Sequence, residues 1–113
     1  RDPYKGRHAL PGGFVDYGED INDAINREIL EETGLSGLPF KQFQTFGHPE
    51  RDPRGHTVSV VYVAVVIGQQ PEVTGGDDAT DAAWYPMDRL PDLAFDHALI
   101  LEKVIEALKI CRP

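Results

Sequence analysis

Apolar residues recur along this chain with two different periods, and the periods divide it into elements. Ile21, Ile25 and Ile29 stand four apart, the repeat of one helical face. They are bracketed by Asp20, a residue type that caps helix N-termini, and Gly34, the type that ends helices in a left-handed turn. This spacing predicts a helix from Asp20 to about Glu32 or Thr33, with Leu35 stapling its end. A second stripe, Ile100, Val104 and Leu108 with Leu101 and Ile105, predicts another helix behind a second cap, Asp96. Between the two, residues 57–67 form the most apolar, β-branched run and predict a central strand buried on both faces. Shorter strands are expected at 43–46 and at 82–85, the latter ended by Pro86, with a strand or turn at Phe14 and Val15. Residues 48–56 hold too much proline, glycine and charge for regular structure, and 75–78 read as a turn. The order of strand, helix, strands, helix predicts an α+β fold in which a mixed sheet is flanked by helices.

Composition adds boundaries to this picture. A chain of 113 residues fits one domain, 1–113, and at 41% hydrophobic and 27% charged residues no segment reads as disordered. No apolar run approaches the roughly 20 residues that cross a bilayer. The opening stretch, Arg1 to Arg7, lacks the apolar core of a secretory signal, so a cytoplasmic location is expected. The first residue is not methionine, and the sequence reads as a fragment. A formal charge of −8 disfavours a phosphate polymer as partner, because such binding depends on Lys and Arg. A small phosphorylated substrate remains compatible if an acidic cluster recruits cations to meet it. The single cysteine, Cys111, excludes an intramolecular disulfide and a thiolate cluster, and reads as a residue of the terminal helix.

The first helix is where periodicity and composition disagree. Glu28 and Glu32 fall among the isoleucines on the packed face, and Glu31 lies at its border, three residues from Glu28. Like charges at these spacings oppose helix formation by a few tenths of a kcal/mol per pair (order of magnitude), and burial adds to the cost. Two readings follow: a solvated face balanced by Arg27 and lysines, or a carboxylate cluster that holds a hard divalent cation such as Mg2+ or Mn2+.

The flanking residues separate those readings. From Gly13 the chain runs through Glu19, Arg27-Glu28, Ile29, Glu31-Glu32, Gly34 and Leu35, in the pattern Gly-x5-Glu-x7-Arg-Glu-U-x-Glu-Glu-x-Gly-U, with U aliphatic. This pattern resembles the complete Nudix box at every position and covers residues 13–35, about a fifth of the chain. The resemblance implies the Nudix fold, a mixed sheet sandwiched between helices, here expected to lack its N-terminal strand. It implies hydrolysis of a nucleoside diphosphate linked to another group, with water as nucleophile. Glu28, Glu31 and Glu32 would be metal ligands or bases, the Gly12 carbonyl would complete the metal site, and Arg27 would pair with Glu19 to lock loop onto helix. A further acidic ligand would come from Asp77, Asp78 or Asp81, with Asp78 favoured. For Asp77 and Asp78 a plain turn is the alternative.

The box names the reaction and not the leaving group. Pro49, about fifteen residues beyond it, and the segment 46–55 are similar to those of small ADP-ribose pyrophosphatases, including Nudix domains fused to nicotinamide-nucleotide enzymes. Ala94-Phe95-Asp96-His97 resembles a motif near their carboxyl ends. ADP-ribose is therefore the expected substrate, giving AMP and ribose 5-phosphate. Other nucleoside diphosphates, nucleoside triphosphates and dinucleoside polyphosphates stay open, as does a sensing domain that binds ADP-ribose uncut. Arg51 and Arg54 suit phosphate through their guanidinium forks, or else pair with Glu50 and Asp52 in a solvated loop. Arg7 or Lys5 could also meet phosphate. Tyr4, Phe14 and Tyr17 are stacking or packing residues, and His97 reads as a neutral imidazole bonded to backbone. Homodimerisation is plausible by the same resemblance.

Overall fold

The computed structural model describes residues 9–73 and 82–111, with side chains through 108. Its elements run α1 (Ile21–Thr33), β1 (Lys41–Phe46), β2 (Ser59–Val63) and α2 (His97–Cys111), an α+β content. They belong to two compact units, one drawn from Arg1–Leu10, Lys41–Val63 and Leu90–Pro113, the other from Pro11–Phe40 and Ala64–Arg89.

In the first unit, β1 and β2 pair antiparallel, with Lys41 opposite Val63 and Phe46 opposite Ser59. The register slips between Gln42 and Gln44, leaving Phe43 as an extra residue. An unbroken strand would send Phe43 and Phe46 to opposite faces. The slip resets the alternation, so both rings reach one apolar cluster. That cluster is Phe46, Ile100 and Val104, with Leu10, Phe43, Val61, Val63 and Leu108 packed around it. Ile100, Val104 and Leu108 are the stripe read from the sequence, and the Ile100 side chain is almost fully enclosed. The expected strand over 57–67 is shorter than its apolar run. Only Ser59–Val63 is paired, and Val60, Val65, Val66 and Ile67 are exposed. In a two-stranded antiparallel ladder one face rests on the core and the other does not, so burial on both faces does not arise.

In the second unit, α1 starts and stops where its caps dictate. The Asp20 carboxylate accepts from the Asn22 N–H at 2.7 Å, and Gly34 takes a left-handed φ of 78° while its N–H donates to the Leu30 carbonyl at 3.0 Å. Ala24 and Ile29 are buried, whereas Ile21 is exposed. No strand forms at Phe14 and Val15 or at 82–85. Trp84 instead anchors its segment by donating Nε1–H to the Pro71 carbonyl at 2.7 Å. Among the described residues no helix is long and apolar enough to cross a membrane.

Candidate active site

The chemistry-bearing residues of the second unit gather around Arg27. Its Nε and Nη2 donate to the two Glu19 oxygens at 2.8 and 3.0 Å, and Nη2 also reaches the Phe14 carbonyl at 3.1 Å. Nη1 donates to Glu28 at 2.8 Å and, more weakly, to Glu31 at 3.4 Å. The Asp16 carboxylate lies 3.6 Å away. Glu19 is itself fixed by a turn, accepting from the Asp16 N–H at 2.9 Å while its own N–H donates to the Asp16 carbonyl at 3.0 Å. One guanidinium thus ties the 14–19 loop to the helix. Its bonds to Arg27 pull the Glu19 carboxyl down to about 2, and the bonds to Glu19 and Glu28 raise the Arg27 pKa further above its ordinary value.

Glu32 lies on the other side of this group. Its Oε1 accepts the Gly12 N–H at 3.1 Å, so the contact from Gly12 in this arrangement comes from its amide. Burial pushes the Glu32 carboxyl above its ordinary range; the Gly12 bond opposes that, while a hydrogen bond with Glu28 and the charges of Glu28 and Glu31 add to it. Beside it, Gly13 approaches so closely that an added Cβ would stand 2.5 Å from the Glu28 carboxylate. A side chain at this position would have to displace that carboxylate from its bond to Arg27, and the loop lies against two partly buried carboxylates. Asp16, Glu19, Glu28 and Glu31 share a single guanidinium and Glu32 has none among the described residues, which leaves an excess of negative charge suited to a hard cation. The fit is one of kind rather than number. Among the described residues no three His, Cys, Asp or Glu side chains gather as a ready-made metal cage, and Glu31, 57% exposed, turns toward Arg27.

The residues considered for substrate divide differently. Arg51 is held inside the first unit, its side chain 5% exposed. Nε and Nη2 meet the Asp96 oxygens at 2.8 Å each, and Nη1 donates to the Thr57 and Ser59 hydroxyls at 3.0 and 2.9 Å. The fork expected to meet phosphate or Glu50 and Asp52 is thus committed to Asp96, and the Asp96 carboxylate serves Arg51 at the position where a helix cap was expected. Arg54 is more open and pairs with the buried Asp52. Pro49 lies in an exposed turn. Arg7, Lys5, Tyr4, Asp77, Asp78 and Asp81 fall outside the described residues. His97 accepts the Leu10 N–H through Nδ1 at 3.0 Å, which requires a neutral ring there, and burial lowers its pKa. The close approach of Gly13 was carried by its place in the box, whereas nothing local announced the Arg51–Asp96 pair, whose members are 45 residues apart.

The family model for the NUDIX domain matches residues 1–108, and the chain belongs to that family. It is 46% identical over 101 residues to an ADP-ribose pyrophosphatase of Methanocaldococcus jannaschii, covering 89% of this chain and 59% of that protein. Its fold matches the NUDIX domain of Shewanella oneidensis NrtR, solved in complex with ADP ribose, with a TM-score of 0.84 at 30% identity over 96% of this chain and 72% of that one. It also matches a bifunctional NMN adenylyltransferase/ADP ribose pyrophosphatase of Francisella tularensis, solved with AMP and a manganese ion, with a TM-score of 0.75 at 32% identity, covering 95% of this chain and 35% of that one.

Proposed function

We propose that residues 1–113 form a single Nudix hydrolase domain that cleaves the pyrophosphate of ADP-ribose to AMP and ribose 5-phosphate, dependent on Mg2+ or Mn2+. The observation that carries this reading is Glu32, a partly buried carboxyl with raised proton affinity, fixed by the Gly12 amide beside Glu28. The relatives' names favour ADP-ribose, and the manganese in the Francisella structure favours a divalent ion.

Glu28, Glu31 and Glu32 with the Gly12 carbonyl would hold the cation, Asp78 being a further candidate ligand. When bound, such an ion neutralises charge on the pyrophosphate and lowers the pKa of water. The chain's own contribution is orientation and proton transfer. Arg27 and Glu19 keep the loop against the helix, so that Gly12 and Gly13 approach the carboxylates at fixed distance. Glu32, whose burial raises its proton affinity, is the group to take a proton from the attacking water, and Glu31 would have to leave Arg27 to join it. Arg54, Pro49 and Arg7 remain candidates for contacts to substrate. Arg51 would need to leave Asp96 to serve in that way.

The test is AMP release from ADP-ribose with Mg2+, by the wild type and by Glu32→Gln. Loss of a general base lowers turnover by about 10^2- to 10^4-fold, with binding of ADP-ribose retained. A second reading, a domain that binds ADP-ribose without cutting it, is favoured by the NrtR complex. Wild-type binding with no AMP released would decide for it.

A further inference from the structure

The chain enters the glycine loop through Leu10-Pro11-Gly12, and side chains from elsewhere in the sequence hold this short entry. The Leu10 N–H donates to His97 Nδ1 at 3.0 Å, and the Gly12 N–H donates to Glu32 Oε1 at 3.1 Å. Pro11 has no N–H, so these are consecutive donors of the segment, and a side chain meets each. The first anchor is well supported. His97 opens α2, its own N–H donating to the Ala94 carbonyl at 3.1 Å, and the Phe95 ring lies edge-on to the imidazole with centroids 5.5 Å apart. The Leu10 side chain packs against the cluster of Phe46, Ile100 and Val104.

The link between the two anchored amides is short and stiff. Proline locks its own φ at about −65° and confines the residue before it to extended backbone, so the torsions joining Leu10 to Gly12 have little freedom. Consecutive Cα atoms are about 3.8 Å apart, which keeps Leu10 within about 8 Å of Gly12. Each of the two hydrogen bonds lies within one compact unit, and the connection between them is covalent. Where the Leu10 amide is held therefore limits where the Gly12 amide can go. We propose that His97 is a positioning residue for the Gly12-Gly13 loop: its Nδ1 fixes the chain at the root of the loop and so sets how Gly12 meets Glu32. That the loop serves a divalent ion rests on the hydrolase reading, whereas the positioning itself does not.

Two replacements separate positioning from packing: His97→Asn keeps an acceptor, and His97→Leu fills the space without one. In the whole isotope-labelled chain, free of metal, amide exchange at both Leu10 and Gly12 should quicken by about 10-fold in His97→Leu, the scale of one lost hydrogen bond, and stay near the wild-type rate in His97→Asn. Mn2+ alone, titrated by the electron paramagnetic resonance of the free ion, should bind about 10-fold more weakly to His97→Leu and as in the wild type to His97→Asn. Faster exchange at Leu10 with Gly12 and Mn2+ affinity unchanged would make His97 a local anchor and overturn the proposal, as would a folded His97→Asn that restores neither. In the wild type, a scalar coupling across the hydrogen bond between the Leu10 amide nitrogen and His97 Nδ1 tests the anchor independent of how the variants fold. Its absence also overturns the proposal. Gly12 exchange and Mn2+ affinity that follow His97 in a chain releasing no AMP from ADP-ribose would remove the hydrolase and keep the positioning; turnover by a chain whose Gly12 ignores His97→Leu would do the reverse.

Discussion

Replacing Asp96 with asparagine tests whether Arg51 is a structural cation rather than a phosphate ligand. The substitution preserves shape but removes the charge and turns one of two acceptors into a donor facing Nη2. The guanidinium, 5% exposed, would keep its bonds to Thr57 and Ser59 and lose its counter-charge. Breaking a buried pair in this way costs about 3–5 kcal/mol, because the remaining charge stays desolvated. A domain of this length has about 6–17 kcal/mol in total, so the loss is large. With a denaturant dependence of about 1–3 kcal/mol per molar urea, the midpoint should fall by at least about 1 M. Urea melts followed by far-ultraviolet circular dichroism measure it, and 0.5 M NaCl should leave the difference intact because solvent ions do not screen a buried pair. The double replacement Arg51→Met with Asp96→Leu should cost less than Asp96→Asn alone, since it leaves no orphaned charge. A midpoint that hardly moves in Asp96→Asn, together with a raised KM for ADP-ribose in an otherwise stable Arg51→Lys, would refute the reasoning and return Arg51 to the substrate.

Three further outcomes are expected. Gly13→Ala puts a methyl where the Glu28 carboxylate lies, so the Mg2+ concentration for half-maximal AMP release should rise about 10- to 100-fold, the usual effect of disturbing a ligand's support; an unchanged magnesium titration would count against the loop-carboxylate contact. Gly34→Ala forces a Cβ into a left-handed residue and should lower stability by about 1 kcal/mol, read as a thermal shift, without altering the magnesium dependence of turnover. The His97 pKa is lowered in the folded chain, so the neutral ring's contribution is fully present above the unfolded value of about 6.5 and is lost as pH falls below it. Urea midpoints between pH 7.5 and 5 should decline for the wild type and decline less for His97→Asn, which keeps an acceptor for the Leu10 N–H; parallel slopes would show that His97 does not set this dependence.

The sequence made α1 readable because every signal for it is local: a capping Asp20, a stopping Gly34 and isoleucines at helical spacing. The α2 stripe was equally plain. The strand over 57–67 was overextended because apolar β-branched composition marks a tendency to pair but not the extent of the partner, and β1 offers only six residues. The 82–85 segment has strand composition, yet Trp84 is held by one hydrogen bond to Pro71 and no ladder forms there in the described residues. In the site, the box fixed which residues meet around Arg27, since Glu19, Arg27 and Glu28 are set by one helix and one short turn. What it left open was the division of Arg27's donors, one of which reaches Glu31 at 3.4 Å. Arg51 was hardest to read. A charged loop between prolines looks solvated, and its true partner lies on a distant helix start.

The hydrogen bond from Trp84 to Pro71 has a practical consequence. This is the only tryptophan in the chain, and it belongs to the unit that carries α1, while the Arg51–Asp96 pair belongs to the other. Its fluorescence therefore follows the melting of one unit selectively, and the far-ultraviolet signal of the two helices follows both. Superimposable curves would mark a single cooperative transition; an emission change that precedes the loss of helix would show the indole segment opening as a foldon of its own.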